Sequence, residues 1–154
     1  MGKLSATALL LCAAVLPSAA HADTDACSLL APAQVGAAVG VPVSEGKHVT
    51  PSFVKTCTWT ASGTSAVKYV TLYLQTAAAY EGGKQMAVRM AAAGAKVTPA
   101  SVGDDGYYFV AGDQVGLLVK KGDASFKVAV YATLPVAKKE AMELALAQEV
   151  VGKL

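Results

Sequence analysis

Residues 107–134 decide the fold, and they read YYFVAGDQVGLLVKKGDASFKVAVYATL. Three β-rich runs, Tyr107–Ala111, Val115–Lys121 and Ser125–Leu134, are separated by Gly112-Asp113-Gln114 and Gly122-Asp123-Ala124. Short Gly-Asp spacers of this kind are hairpin loops, and hairpins make antiparallel neighbours. In the last run Phe126, Val128 and Val130 alternate with Lys127, Ala129 and Tyr131. That alternation gives a strand one apolar side and one mixed side. Val67–Thr76 repeats it, with Val70, Leu72 and Leu74 on one face and Tyr69, Thr71 and Tyr73 on the other. Phe53–Ala61 is another β-rich run, closed by the turn Ser62-Gly63-Thr64-Ser65.

Helical segments flank these strands. Pro32–Val39 starts with proline at the first helical position, places Val35 and Val39 on one face and stops at Gly40. Ala77–Ala93 is alanine-rich, with Met86, Met90 and Ala93 at helical spacing, and Gly82-Gly83 predicts a late start. Val136–Val151 carries Met142, Leu146 and Val150 every four residues, with Lys138, Lys139, Glu143 and Glu149 largely on other faces. Val41–Ser52 and Lys96–Asp105 read as connections. The order α-β-β-α-β-β-β-α predicts an α+β domain. Its sheet is mainly antiparallel, of about five strands, with helices covering one face.

The 154 residues are 54% hydrophobic and 16% charged, with a formal net charge of +2. This excludes a disordered chain and gives no charge basis for a nucleic-acid partner. Lys3, the apolar run Ala6–Leu16 and the site Ala20-His21-Ala22 read as a signal peptide over residues 1–22, cleaved after Ala22. The mature chain, residues 23–154, is then a single domain. No mature segment is long and apolar enough to span a bilayer. The expected location is periplasmic or secreted.

Cleavage removes Cys12 and leaves Cys27 and Cys57, for which only one pairing exists. In an oxidising compartment a structural disulfide is expected, adding roughly 3–4 kcal/mol on the chain-entropy model. Two free thiols, or a metal or catalytic role, are the alternatives. The 29 intervening residues are far from a C-x-x-C redox motif.

Three short motifs carry a resemblance: Ala26-Cys27-Ser28-Leu29-Leu30-Ala31-Pro32-Ala33-Gln34-Val35, Cys57-Thr58-Trp59, and Val102-Gly103-Asp104-Asp105-Gly106-Tyr107-Tyr108. Together they resemble small exported bacterial lipoproteins or secreted proteins of unknown function with a CSLLTPAEV…CxW…GxGDxAYY layout. The resemblance implies an exported α+β domain with a cysteine bridge, and no particular activity. The chain departs from the layout at Ala31, Gln34 and Gly106. Cys12 and Cys27 both lack a good lipid-attachment context.

Candidate chemistry is sparse. His48, the one mature histidine, sits in a Pro- and Gly-containing stretch, and a Ser-His-Asp or Cys-His site would have to use it. No nucleophile elbow accompanies it, so a solvated loop histidine is expected. Asp104-Asp105 between Gly103 and Gly106 reads as a turn, because the calcium-loop spacing is missing. No phosphate-loop or dinucleotide motif is present, and no cofactor or metal is expected. Lys120-Lys121 reads as a solvated strand end, and Arg89 is the single arginine.

Tyr69, Tyr73, Tyr131, Tyr107 and Tyr108 remain. Tyr69 and Tyr73 share a strand face, Tyr131 is expected beside them, and Tyr107 and Tyr108 point to opposite faces. Such a cluster either stabilises the sheet through cross-strand pairs or offers a contact surface at low entropy cost. The expected function is an exported, non-enzymatic binding or interaction module, its partner an envelope protein or small molecule. The alternatives are an envelope hydrolase using His48 and acidic residues, and a carrier of a small apolar ligand.

Overall fold

The computed structural model describes residues 24–154. The expected leader, its cleavage site and Cys12 lie outside the described residues. A short 3-10 turn, Ala26–Ser28, leads into α1 (Pro32–Val39), β1 (Lys47–His48), β2 (Thr56–Thr60) and β3 (Val67–Thr76). Then come α2 (Ala77–Ala91), β4 (Lys96–Pro99), β5 (Asp105–Ala111), β6 (Gln114–Lys121), β7 (Ala124–Ala132) and α3 (Val136–Val151). The strands form one antiparallel sheet in the order β1-β2-β3-β7-β6-β5-β4.

The α+β class holds, but among the described residues the sheet has seven strands, not about five. The two extra strands, β1 and β4, arise in segments that read as connections. They are the edges of the sheet, two and four residues long, and main-chain pairing holds them. Short edges carrying Lys and Pro resist pairing with other chains, and they leave no side-chain alternation to read. The element order is therefore α-β-β-β-α-β-β-β-β-α.

Both hairpin loops tighten to two residues, Gly112-Asp113 and Gly122-Asp123. Gly112 has φ 62° and Gly122 has φ 56°. A left-handed glycine at the first central position is the type II′ arrangement, whose twist matches the flanking strands.

The helices do not share one face, contrary to expectation. α1 and α3 cover the inner face, where Val35, Val39, Leu146 and Val150 join Trp59, Leu72, Leu117 and Phe126 in the main core. α2 crosses the outer face from the end of β3 to β4 at the far edge. There Tyr80 and Ala87 pack on Tyr107, with Val97, Phe109 and Leu118 against them. α2 also begins at once: Thr76 Oγ1 accepts from the Ala79 N–H at 3.2 Å, which offsets the weakness of Gly82-Gly83. Its Met86 and Met90 are exposed, so the methionines lie outside the core.

α3 buries Leu146 and Val150 as their spacing suggests, but its inward face also takes in the charged Lys139 and Glu143. Lys139, Glu143, Leu146, Ala147 and Val150 are buried, and Met142 is only half-buried. The β6–β7 register runs from Lys121↔Ala124 to Leu117↔Val128. Past it, the Val130 N–H donates to Glu143 Oε1 at 2.9 Å. Lys139 Nζ donates to the Asp113 carbonyl. These two side chains dock α3 on the sheet by satisfying main-chain groups.

Glu143 Oε2 is buried without a hydrogen-bond partner among the described residues. Burial pushes the carboxyl up to about 7, against the Val130 N–H and the charges of Lys127 and Lys139. The folded chain thus holds this proton more tightly than the unfolded chain. The associated stability is complete below the ordinary carboxyl value and is lost as pH rises through about 7. Glu143→Gln keeps an acceptor for Val130 and removes the buried charge. It is expected to exceed the parent in stability by about 2–3 kcal/mol at mildly alkaline pH, with the gap closing in acid. Thermal melts across pH check this; parallel curves for the two proteins would refute it.

Candidate functional site

α2 spans only part of the outer face, and Tyr69 and Tyr73 of β3 stay exposed beyond it. Tyr69 on β3 and Tyr131 on β7 are register partners, and their rings stack at 4.3 Å between centroids. Tyr73 stacks on Phe53 at 6.4 Å. Tyr69, Tyr73 and Phe53, the last in the loop before β2, are 37%, 40% and 43% exposed. Thr58 and Thr71, also register partners, lie on this face between the two aromatic pairs. The surface is therefore aromatic and hydroxyl-bearing, with Tyr69, Tyr73, Tyr131, Thr58 and Thr71 carried on strands. Cross-strand stacking fixes the Tyr69 and Tyr131 rotamers in advance, so less side-chain freedom remains to be lost on contact.

The other two tyrosines do not join this surface. Tyr107 is on the outer face but sealed under α2, its ring 5.5 Å from that of Tyr80. Tyr108 faces inward, and its hydroxyl donates to the Glu140 carbonyl of α3 at 3.1 Å. Burial raises both phenols above the ordinary range, with nearby carboxylates adding to it. Tyr80 is raised by burial and then by Asp105, although its hydroxyl makes no well-formed hydrogen bond.

Asp104 and Asp105 are separated by their partners. Asp104 Oδ2 accepts from the Gly122 N–H at 2.7 Å, and Oδ1 pairs with Lys121 Nζ at 3.2 Å. Asp105 pairs with Lys84 Nζ of α2 at 2.5 Å. Each carboxyl is held below its ordinary range, Asp104 first by that N–H and Asp105 first by Lys84. Lys120 meets Glu81 at 2.7 Å. The acidic pair and the lysine pair thus tie a turn and a helix to the sheet.

Cys27 and Cys57 form a disulfide, with Cα atoms 5.0 Å apart and a sequence separation of 30. It pins the 3-10 turn to β2. His48 is not a solvated loop residue. It lies on β1, half-buried, and its register partner is Cys57. His48 Nε2 is 3.2 Å from Asp25 Oδ2, and Nδ1 is 3.2 Å from the Thr56 carbonyl and 3.6 Å from Cys27 Sγ. Donor atoms of Asp25, Cys27 and His48 fall within 4.8 Å of one another. The sulfur is bonded to Cys57, so the oxidised group lacks the thiolate that a metal centre of this type would use. Asp25 was not singled out by sequence because only the disulfide and the β1–β2 pairing bring it to His48.

Gly46 shows how tightly this corner is packed. A Cβ there would lie 2.6 Å from Cys57 Sγ and 2.8 Å from Trp59 Nε1, both in fully buried residues. Gly46→Ala is expected to cost about 1–3 kcal/mol, read as a lower urea midpoint. An unchanged midpoint would show that β1 is not seated against the bridge.

Compared with protein-family models, curated proteins and solved structures, the chain finds no match.

Proposed function

We propose that the chain is an exported binding module that engages an envelope protein through the outer face of β2, β3 and β7. The carrying observation is the pre-stacked set of exposed Tyr69, Tyr73 and Phe53 with half-buried Tyr131, beside Thr58 and Thr71. Tyrosine supplies large contact area with few torsions to fix and a hydroxyl for orientation, so it is enriched at protein interfaces. The leader and the disulfide support an exported location. Among the described residues no helix is long and apolar enough to cross a membrane.

The rival functions have less support. A hydrolase built on His48 needs an unbonded nucleophile, and the sulfur beside His48 is already in the disulfide. An apolar-ligand carrier needs an enclosed cavity. The clefts lined by Pro32, Gly36 and Val41, and by Lys96, Val110 and Glu140, open to solvent, and large side chains such as Trp59 and Phe126 fill the inner core.

Tyr69→Ser combined with Tyr73→Ser tests the proposal. The immobilised parent, the double variant and an α2-surface control, Val88→Ser, are challenged with envelope extract, and the retained protein is then purified and titrated. The expected outcome is a loss of at least about tenfold in affinity for the double variant alone, with all three chains remaining folded by circular dichroism and the double variant melting somewhat lower. Equal affinity for the double variant and the parent, or no envelope protein retained by the parent, would overturn it.

A further inference from the structure

The two sulfurs of the disulfide occupy unequal environments. Cys57 is fully buried on β2, closed in by Gly46 and Trp59. Cys27 is partly exposed at the rim, on the 3-10 turn. Among the described residues an imidazole nitrogen lies beside Cys27 Sγ, His48 Nδ1 at 3.6 Å. Asp25 serves both partners: Oδ1 accepts from the Cys27 N–H at 2.7 Å, and Oδ2 lies 3.2 Å from His48 Nε2. His48 Nδ1 also faces the Thr56 carbonyl at 3.2 Å, so the ring is held from both sides. A bridge that merely braces the fold needs neither the histidine nor the carboxylate. A sulfur that must leave and return as a thiolate is served by both, the imidazole as its polar neighbour and the carboxylate to orient that ring.

We propose that Cys27–Cys57 is a thiol–disulfide exchange site, with Cys27 as the exchanging sulfur, Cys57 as the resolving one, and His48 and Asp25 as positioning residues. Its co-reactant is an external thiol. A thiolate attacks Cys27 Sγ, the Cys27–Cys57 bond breaks, and a mixed disulfide forms on Cys27. Cys57 leaves as a thiolate and takes a proton from water. A second thiolate attacks the external sulfur of the mixed disulfide and leaves with it as a new disulfide. Cys27 is released as a thiolate beside the His48 ring. Two thiols are oxidised while one bridge is reduced, so two electrons pass. In reverse, Cys27 attacks a substrate disulfide and Cys57 closes on Cys27 to expel the thiol. This proposal is independent of the tyrosine face.

The test uses the full mature chain and reduced glutathione as the probe. After acid quenching and alkylation, peptide mass spectrometry is expected to place glutathione on Cys27 and not on Cys57. The reduced chain should keep its near-ultraviolet Trp59 signal. At mildly acidic pH, where an ordinary thiol is almost wholly protonated, iodoacetamide should label Cys27 of the reduced parent about tenfold faster than in His48→Gln. Asp25→Asn serves as the second variant should His48→Gln fail to fold, with slower labelling expected again. An adduct that forms only in denaturant, an adduct on Cys57, unfolding on reduction, or equal labelling in parent and variant would overturn the proposal.

Discussion

The pairing of β3 with β7 joins two halves of the chain that are far apart in sequence. Nine register pairs run from Val67↔Ala132 to Thr76↔Ala124. On one side hang β2 and β1, and on the other β6, β5 and β4. A side chain alternates faces at every residue, so a slip of one position would turn Tyr69, Tyr73 and Tyr131 into the core and expel their apolar neighbours. The inner face prevents this: Val70, Leu72 and Leu74 meet Val130, Val128 and Phe126 pair by pair, and all six are buried. The core thus fixes the register, and the register fixes which tyrosines reach solvent.

The C-terminal meander was legible because Gly-Asp turns and alternating apolar residues are local signals. β1 and β4 were not, because edge strands of two and four residues are held by main-chain bonds whose partners lie elsewhere in the chain. The position of α2 did leave a trace. Tyr107 and Phe109 lie on the face opposite Tyr108 and Val110, and Leu118 lies on the face opposite Leu117 and Val119. Strands apolar on both sides indicate cover on both sides, whereas β3 and β7 keep one polar face. The inward Lys139 and Glu143 were illegible, since a spacing rule assigns charged residues to water unless a main-chain donor or acceptor waits for them.

The candidate sites divide the same way. The outward placement of Tyr69, Tyr73 and Tyr131 follows from strand parity alone. The corner of Asp25, Cys27 and His48 requires three long-range facts: the bridge, the β1–β2 register and the 3-10 turn that brings Asp25 back toward β1. The sheet places the corner at its inner, β1 edge and leaves the tyrosines on its outer surface. Binding at one and chemistry at the other can therefore be separated by substitution.

The central claim is that α2 covers the outer face unequally and leaves an aromatic surface free. Residue-resolved hydroxyl-radical footprinting of the mature chain measures this directly. Tyr69 and Tyr73 are predicted to oxidise several-fold faster than Tyr80 and Tyr107, whose rings are sealed between α2 and the sheet. Protection of Tyr69 and Tyr73 to the level of Tyr80, or oxidation of Tyr107 as fast as Tyr69, would contradict the account.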